Sequence, residues 1–492
     1  MTRLRIATTL LLVFTSFSAL AADKPNVLFL FTDDQRNDTV RAHGNEHIQT
    51  PHTDRLVKNG TSFLNAYIMG ATSPAVCAPS RAVLMSGRTL WNAESQGLWS
   101  SNLSGKFKSL PQVFREAGYT TFGTGKQHNG TGEFARSFNA GSKIFFGGMT
   151  KSQYVLPLRE YSPDGNYKQS SQHKGTHSAE VYATAAVEFL EKQADSKDPF
   201  FAYVSFQTPH DPRQSPKPFM DMYKPEDIPL PVSFQPEHPF DNGMLRIRDE
   251  GLERFPRKPG RIQKHIADYY AMVSHTDAQV GRILDALEKT GKMDNTIIVF
   301  SSDNGLAVGR HGLLGKQNVY EHSVRVPLII TGPGIPKNET RDHLTYVYDI
   351  YPTLCERAGL TTPETVQFKS LNPQIKSAKA EGREHLIFAF MDWQRSVRDS
   401  RYKLIEYCVK DARTTQLFDL SKDPHEMVNL AGSPEHAATL EKLRTLLQAE
   451  CKRLNDGTTP YKFAAKQGKA FWGMYERVKD SATPQFKKHT AL

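Results

Sequence analysis

The sequence predicts an α/β fold with a largely parallel sheet, followed by a smaller, mostly antiparallel region. Three observations carry this. Asn26–Phe31, Phe200–Phe206 and Thr296–Ser301 are short, continuous apolar runs that read as strands buried on both faces. Segments with apolar residues at helical spacing separate them. Beyond residues 375–380 the pattern changes to short alternating strands. A chain of 492 residues exceeds what one ordinary core needs. The expected division is a leader over residues 1–22, a large domain over 23–378 and a smaller one over 379–492.

The leader reads as an export signal. Arg3 and Arg5 precede an apolar run from Ile6 to Phe17, and Ala19-Leu20-Ala21 supplies small residues for cleavage. No later stretch is apolar enough to cross a bilayer, so a periplasmic or secreted protein is expected, without stable membrane insertion. The formal net charge of +10 suits an anionic partner. Nucleic acid is excluded, because no basic cluster is interleaved with aromatics. Sulfated or carboxylated polymers remain.

Along the chain, Thr50-Pro51 opens a helix closing near Gly60, and Ser109-Leu110-Pro111 opens another that Gly118 ends. Residues 130–172 read as irregular loops, and 213–260 as a proline-rich excursion. Ser178–Lys192 is a helix. Ile266 to Leu287 holds helical spacing across a long one, with Asp277 in its stripe as a satisfied buried carboxylate. Val326–Ile330 is a further buried strand. Leu386–Phe390, Arg395–Val397, Tyr402–Glu406 and Gln416–Asp419 are the short strands of the second region. A helix over Pro434–Leu454 follows, and residues 461–492 form a basic tail.

The chemistry centres on Ser73–Arg88. Pro79 suits a first helical turn, so Cys77 stands at or just before a helix N-terminus, where backbone N–H groups favour an anion. With Arg81 one turn on, a lowered thiol pKa is expected. Three strands end in polar residues: Asp33-Asp34, His210 and Asp303-Asn304. Open α/β sheets place their sites at such strand ends. Three carboxylates and an amide oxygen suit Ca²⁺, with Mg²⁺ second, and no tight His/Cys set for zinc is present. Lys126 and His128 alternate, so on an extended segment they share a face. Lys316 adds a further cation. Among Cys355, Cys408 and Cys451 one disulfide is expected, Cys408–Cys451 being the favoured pair.

Cys77-Ala78-Pro79-Ser80-Arg81 resembles the signature of the formylglycine-dependent (type I) sulfatases of the alkaline phosphatase-like superfamily. The order Asp33-Asp34, this motif, Gly125-Lys126-Gln127-His128, Pro209-His210, Asp303-Asn304-Gly305, Gly315-Lys316 and Arg325-Val326-Pro327 is similar to that family across residues 25–330. The resemblance implies a mixed, mostly parallel sheet flanked by helices, plus a C-terminal antiparallel sheet and helix. It implies that a maturation enzyme oxidises Cys77 to formylglycine, and that Asp33, Asp34, Asp303 and Asn304 bind Ca²⁺ together with residue 77. One hydroxyl of the hydrated aldehyde then attacks sulfur, and the other expels sulfate. Arg81 orients that residue and Asp303 helps activate it. Lys126 and Lys316 hold sulfate oxygens, His128 assists release, and His210 protonates the leaving oxygen.

His311, Arg395 and Arg398 stand as candidate sugar or anion contacts. Gln127 replaces a tryptophan common in the family, and Asn129 an apolar neighbour, which makes the pocket wall more polar and leans toward a carbohydrate substrate. The expected activity is removal of sulfate from polysaccharide-derived oligosaccharides. A phosphodiester or phosphonate monoester hydrolase of the same superfamily, or an inert sulfated-glycan-binding protein, are the alternatives.

Overall fold

The computed structural model describes residues 24–95, 107–167, 172–410, 412–456 and 471–472. The leader lies outside them, as does all of the basic tail except Phe471 and Trp472.

The elements that matter run in this order. Strand β1 is Asn26–Thr32, helix α1 Pro51–Asn59, β2 Gly60–Phe63, β3 Gly70–Ala71 and α2 Cys77–Ser86. Then come α3 Leu110–Glu116, β4 Thr120–Lys126, β5 Ala140–Phe145, α4 Ser178–Lys192 and β6 Phe200–Ser205. The long helix α5 spans Pro259–Lys289, followed by β7 Thr296–Ser302, β8 Leu328–Thr331 and β9 Glu339–Arg341. The C-terminal part holds β10 His385–Phe390, β11 Gln394–Asp399, β12 Tyr402–Val409, β13 Ala412–Asp419 and α6 Ala437–Arg453.

The large sheet has the order β9-β2-β8-β7-β1-β6-β4-β5. Strand β1 lies between β7 and β6 and is parallel to both. Only β8 runs against its neighbours. Side chains alternate across β1. Leu28 and Leu30 pack with Tyr182 and Phe189 of α4 and Val280, Leu284 and Leu287 of α5. Val27, Phe29 and Phe31 face the other way, into a core shared with Val83 and Leu84 of α2 and Phe114 of α3. Burial of both faces is why β1 reads as a continuous apolar run.

Alternation fails as a signal at the edges. Strands β2, β5 and β9 (GTSF, AGSKIF and ETR) are short, polar or glycine-bearing, and the loops expected over 130–172 contain β5 and a helix over Thr131–Ser137. Asp277 is satisfied in a specific way. It accepts the backbone N–H groups of His52 and Thr53 at 3.0 and 2.7 Å, so α5 caps the N-terminus of α1.

The second sheet has the order β13-β12-β11-β10-β3. Four of its strands come from the C-terminal part, where α6 packs Leu443, Leu447 and Cys451 inward. The fifth, β3, lies just upstream of Cys77 and runs parallel to β10, with Gly70 opposite Ala389. The two sheets therefore share one chain crossing and one apolar core.

The expected disulfide does not form. None of the four cysteines is disulfide-bonded. Cys408 of β12 packs with Phe471 and Trp472, whereas Cys451 points from α6 into the main core.

Candidate active site

The strand order decides the site. Because β7, β1 and β6 are adjacent and parallel, with Thr32 opposite Ser302 and Phe31 opposite Ser205, their carboxyl ends open side by side. Asp33-Asp34 leave the first, Asp303-Asn304 the second, and the turn carrying His210 the third. Strand β4, beside β6, ends on Lys126 itself. Helix α2 begins at Cys77 and lays that residue over the same edge.

Asp34 has a left-handed backbone (φ 68°), stabilised because its N–H donates to Asp303 Oδ1 at 3.1 Å and its carbonyl accepts the Tyr269 hydroxyl at 2.6 Å. The Cys77 thiol donates to Asp33 Oδ1 at 3.1 Å. Lys316 Nζ lies 2.9 Å from Cys77 Sγ and 2.5 Å from Asp34 Oδ1. Lys126 Nζ pairs with Asp33 Oδ2. Arg81 donates from Nε to Asp303 Oδ2 at 2.9 Å, and from Nη1 to the Lys126 carbonyl at 2.9 Å and Ser205 Oγ at 2.5 Å. His210 turns Nδ1 toward Asp211, 2.8 Å from its carbonyl, leaving Nε2 at 3.9 Å from Asp34 Oδ2.

Apart from the partly exposed His128, every one of these groups is buried. Burial raises the Asp33 carboxyl, but Lys126, His210, Arg81 and Lys316 outweigh it and hold Asp33 well below the usual range. Asp303 goes the other way, up to about 6, through burial and the neighbouring Asp33 charge. Burial lowers Lys316, yet Asp34, Cys77 and Asp33 raise it well above normal.

The Cys77 thiol corrects an expectation. Burial, then Asp303 and Asp33, push it well above its ordinary value, overriding the helix terminus and the two lysines. It stands as a protonated thiol, not an activated thiolate. A second correction concerns His128. The chain leaves the strand after Lys126 and His128 takes φ 59°, so the extended alternation ends there. Burial, then Lys126 and Arg81, keep its imidazole neutral.

The donor set fits a hard divalent cation. Ligand atoms of Asp33, Asp34, Cys77 and His210 lie within 4.8 Å of one another. The Asn304 amide adjoins Asp34 Oδ1 at 2.6 Å, and its buried oxygen has no hydrogen-bond partner. Oxygen donors of this kind suit Ca²⁺ or Mg²⁺. Asp303 differs from the expectation in detail, since both its oxygens already accept from Asp34 and Arg81.

The three candidate substrate contacts are not brought to this cluster. Arg395 is buried against Asp456, at 2.5 and 2.8 Å, and caps the Met391 and Gln394 carbonyls. Arg398 is buried against Tyr67 and Glu321. His311 stacks on Tyr320 with centroids 4.3 Å apart, its Nε2 3.0 Å from the His425 carbonyl. Pairing inside the core, rather than anion binding, explains both arginines.

Sequence reading missed the groups that brace the site. Arg248 forks onto Asp211, beside His210, and onto Asp249 at 2.5 Å. Asp249 accepts Gln317 Nε2 at 2.8 Å, and Gln317 is the neighbour of Lys316. Residues 211, 248 and 249 lie on irregular segments without periodicity; only the polar turn after β6 hinted at them.

A mixed sheet flanked by helices, with carboxylates and cations converging at its strand ends, is the architecture of the alkaline phosphatase-like superfamily. Solved structures agree. A sulfatase from Bacteroides fragilis superposes with a TM-score of 0.73 at 25% identity, over 88% of this chain and 97% of that one. A protein solved with its substrate D-glucosamine-2-N,6-O-disulfate superposes equally well (0.73, 26%, 89% and 100%). The phosphonate monoester hydrolase of Agrobacterium radiobacter shares the fold, with a TM-score of 0.70 at 23% identity over 87% and 96%.

The family model described as Sulfatase matches residues 25–360, and the one described as N-sulphoglucosamine sulphohydrolase, C-terminal, matches 309–453. The chain belongs to the sulfatase family and is a sulfatase. An arylsulfatase from Clostridium perfringens is 29% identical over 89% of this chain and 96% of its own. An N-acetylglucosamine-6-O-sulfatase from Bacteroides thetaiotaomicron is 25% identical over 88% and 87%.

Proposed function

We propose that this sulfatase removes sulfate esters from sulfated carbohydrates, with Cys77 matured to formylglycine and Ca²⁺ held by Asp33, Asp34, Asp303, Asn304 and residue 77. The observation that carries the reading is the charge balance around Cys77. Three carboxylates (Asp33, Asp34, Asp303) face three basic side chains (Arg81, Lys126, Lys316) in a buried pocket. A sulfate group entering it brings negative charge that a divalent cation would offset. The substrate class rests on relatives named for glycan sulfates, an ulvan-active sulfatase among them, and on the structural neighbour's disulfated glucosamine.

Formylglycine would supply a hydroxyl nucleophile for sulfur, which a buried protonated thiol cannot. The surrounding residues have separate tasks. Lys316 and Lys126, each on one carboxylate of the pair, bind sulfate oxygens. Arg81 is clamped by Asp303, Ser205 and the Lys126 carbonyl, and it fixes the start of α2. His210, anchored through Nδ1, presents Nε2 to protonate the leaving alcohol oxygen. His128, neutral, accepts a proton as sulfate departs. Residues 1–22 direct export to the periplasm or exterior, where a maturation enzyme's product and the polymeric substrate meet.

Peptide mass spectrometry on the segment around Cys77 from native-source protein tests this. A loss of about 18 Da, from H₂S lost and oxygen gained, supports the nucleophile. An unmodified thiol in active protein sinks it. Parallel assays on sulfate and phosphate esters separate the phosphonate-hydrolase reading; tenfold better turnover of the phosphorus esters would reverse the assignment.

A further inference from the structure

A second cavity, of about 150 Å³, lies between the segment following Asp34, the loop around Arg310 and the turn at His425. None of its lining residues belongs to the Cys77 cluster. We propose that this cavity binds a small tetrahedral oxyanion of the sulfate type.

Asp38 organises the charge at the mouth of this cavity. Its carboxylate takes Arg36 Nε at 2.7 Å on one oxygen and Arg310 Nη2 at 2.5 Å on the other. One acid thus gathers two guanidiniums, and Arg36 Nη1 donates to the Leu306 carbonyl at 3.2 Å, which leaves one nitrogen of each arginine unsatisfied. Arg36 Nη2 and Arg310 Nη1 are buried without a hydrogen-bond partner, and Arg36 is only 2% exposed. Such donors cost stability unless something accepts from them. Arg325 lines the same space.

Two other acids line the cavity, but their charge is already answered. Glu321 pairs with Arg398 at 3.3 Å and Lys403 at 3.0 Å, and Lys403 also holds Glu426 at 2.9 Å. Counting the walls and these partners, five cations (Arg36, Arg310, Arg325, Arg398, Lys403) oppose three carboxylates (Asp38, Glu321, Glu426). The surplus of two matches a dianion. Forked guanidinium donors match tetrahedral oxygens. Asp38, its side chain 49% exposed, gives the space a route to solvent. The cavity is joined to the catalytic centre by Tyr269, whose hydroxyl accepts the Arg36 N–H at 3.0 Å and donates to the Asp34 carbonyl, and whose ring lies under the Arg36 guanidinium at 4.9 Å.

Crystals of the full chain soaked in sodium selenate provide the test, read by anomalous diffraction at the selenium edge. A peak bounded by Arg36, Arg310 and Arg325 supports the site; a peak at the Cys77 centre alone overturns it. In solution, calorimetric titration with inorganic sulfate should lose one binding event in Arg310→Gln, with affinity there down about tenfold or more. Turnover at low sulfate should stay unchanged. Arg325→Gln serves if the first variant folds poorly. Unaltered sulfate binding in a folded variant overturns the proposal. A parallel soak with a sulfated disaccharide identifies the source: density continuing into a sugar ring makes the anion a substrate group, and an isolated ion makes it free sulfate.

Discussion

Lys316 Nζ bridges Cys77 and Asp34, at 2.9 Å from Sγ and 2.5 Å from Oδ1. One ammonium thus touches both the residue assigned to attack and a carboxylate assigned to the cation. Lys316→Met should lower kcat by roughly 10²–10³, the usual loss when a preorganised electrostatic donor is removed. Steady-state kinetics on a sulfated monosaccharide check this, with calcium binding measured alongside. Wild-type kcat would exclude Lys316 from the reaction.

Arg248 reaches the reaction through Asp211, beside His210, and does not itself touch the Cys77 cluster. Its fork onto Asp211 and Asp249 holds the loop that aims His210 Nε2. Arg248→Gln should therefore reduce kcat by about tenfold with little change in KM, because the misplacement acts on proton delivery. Substrates with good leaving groups, which need no protonation, should regain most of the loss. An equal loss on every substrate would mark the role as structural.

Stability should fall with acid below pH 6.5. His177 and His238 are held at about 4, and His275 and His311 at about 3, all through burial. Their folded values lie below the unfolded one. The unfolded chain therefore binds more protons between these limits, and stability present above pH 6.5 is lost as pH drops toward 3–4. Each group accounts for at most about 2 kcal/mol between pH 6.5 and 5. Thermal melts across pH 4–8 check this; a flat profile would contradict the burial of these rings.

Calcium removal should cost both activity and thermal stability. Without the cation, Asp33 and Asp34 depend on protein cations, chiefly Lys126, Lys316 and Arg81, for charge compensation. Chelation should lower the melting temperature, and Ca²⁺ should restore it better than Mg²⁺, which demands stricter octahedral geometry. An enzyme indifferent to chelators would remove the metal from the mechanism.

Strand ends β1, β6 and β7 were legible in the sequence because their strands are buried on both faces and terminate in polar residues, Asp33-Asp34, the turn carrying His210 and Asp303-Asn304. Cys77, Arg81, Lys126 and Lys316 converge through that sheet order. Sequence reading had less purchase where polarity carries no period. Strands β2, β5 and β9 hide among glycines and charged residues. The Arg248 brace lies on irregular chain. Arg395 and Arg398 looked like surface anion contacts because an arginine in a short strand carries no sign of the carboxylate waiting in the core. The reactivity of Cys77 was misjudged for a related reason. The helix terminus is visible in sequence, whereas burial beside Asp33 and Asp303 appears only in three dimensions.

Strand β3 stands a few residues before Cys77, and its partner in the sheet is β10, near the far end of the chain. A polypeptide emerging amino-terminus first has nothing to pair with Gly70–Ala71 until residues 385–390 have been made. During that interval the edge of β3, just upstream of Cys77, lacks its partner strand. In the finished fold that edge is paired and the Cys77 side chain is 2% exposed. The maturation proposed for Cys77 is therefore expected to precede the pairing of β3 with β10.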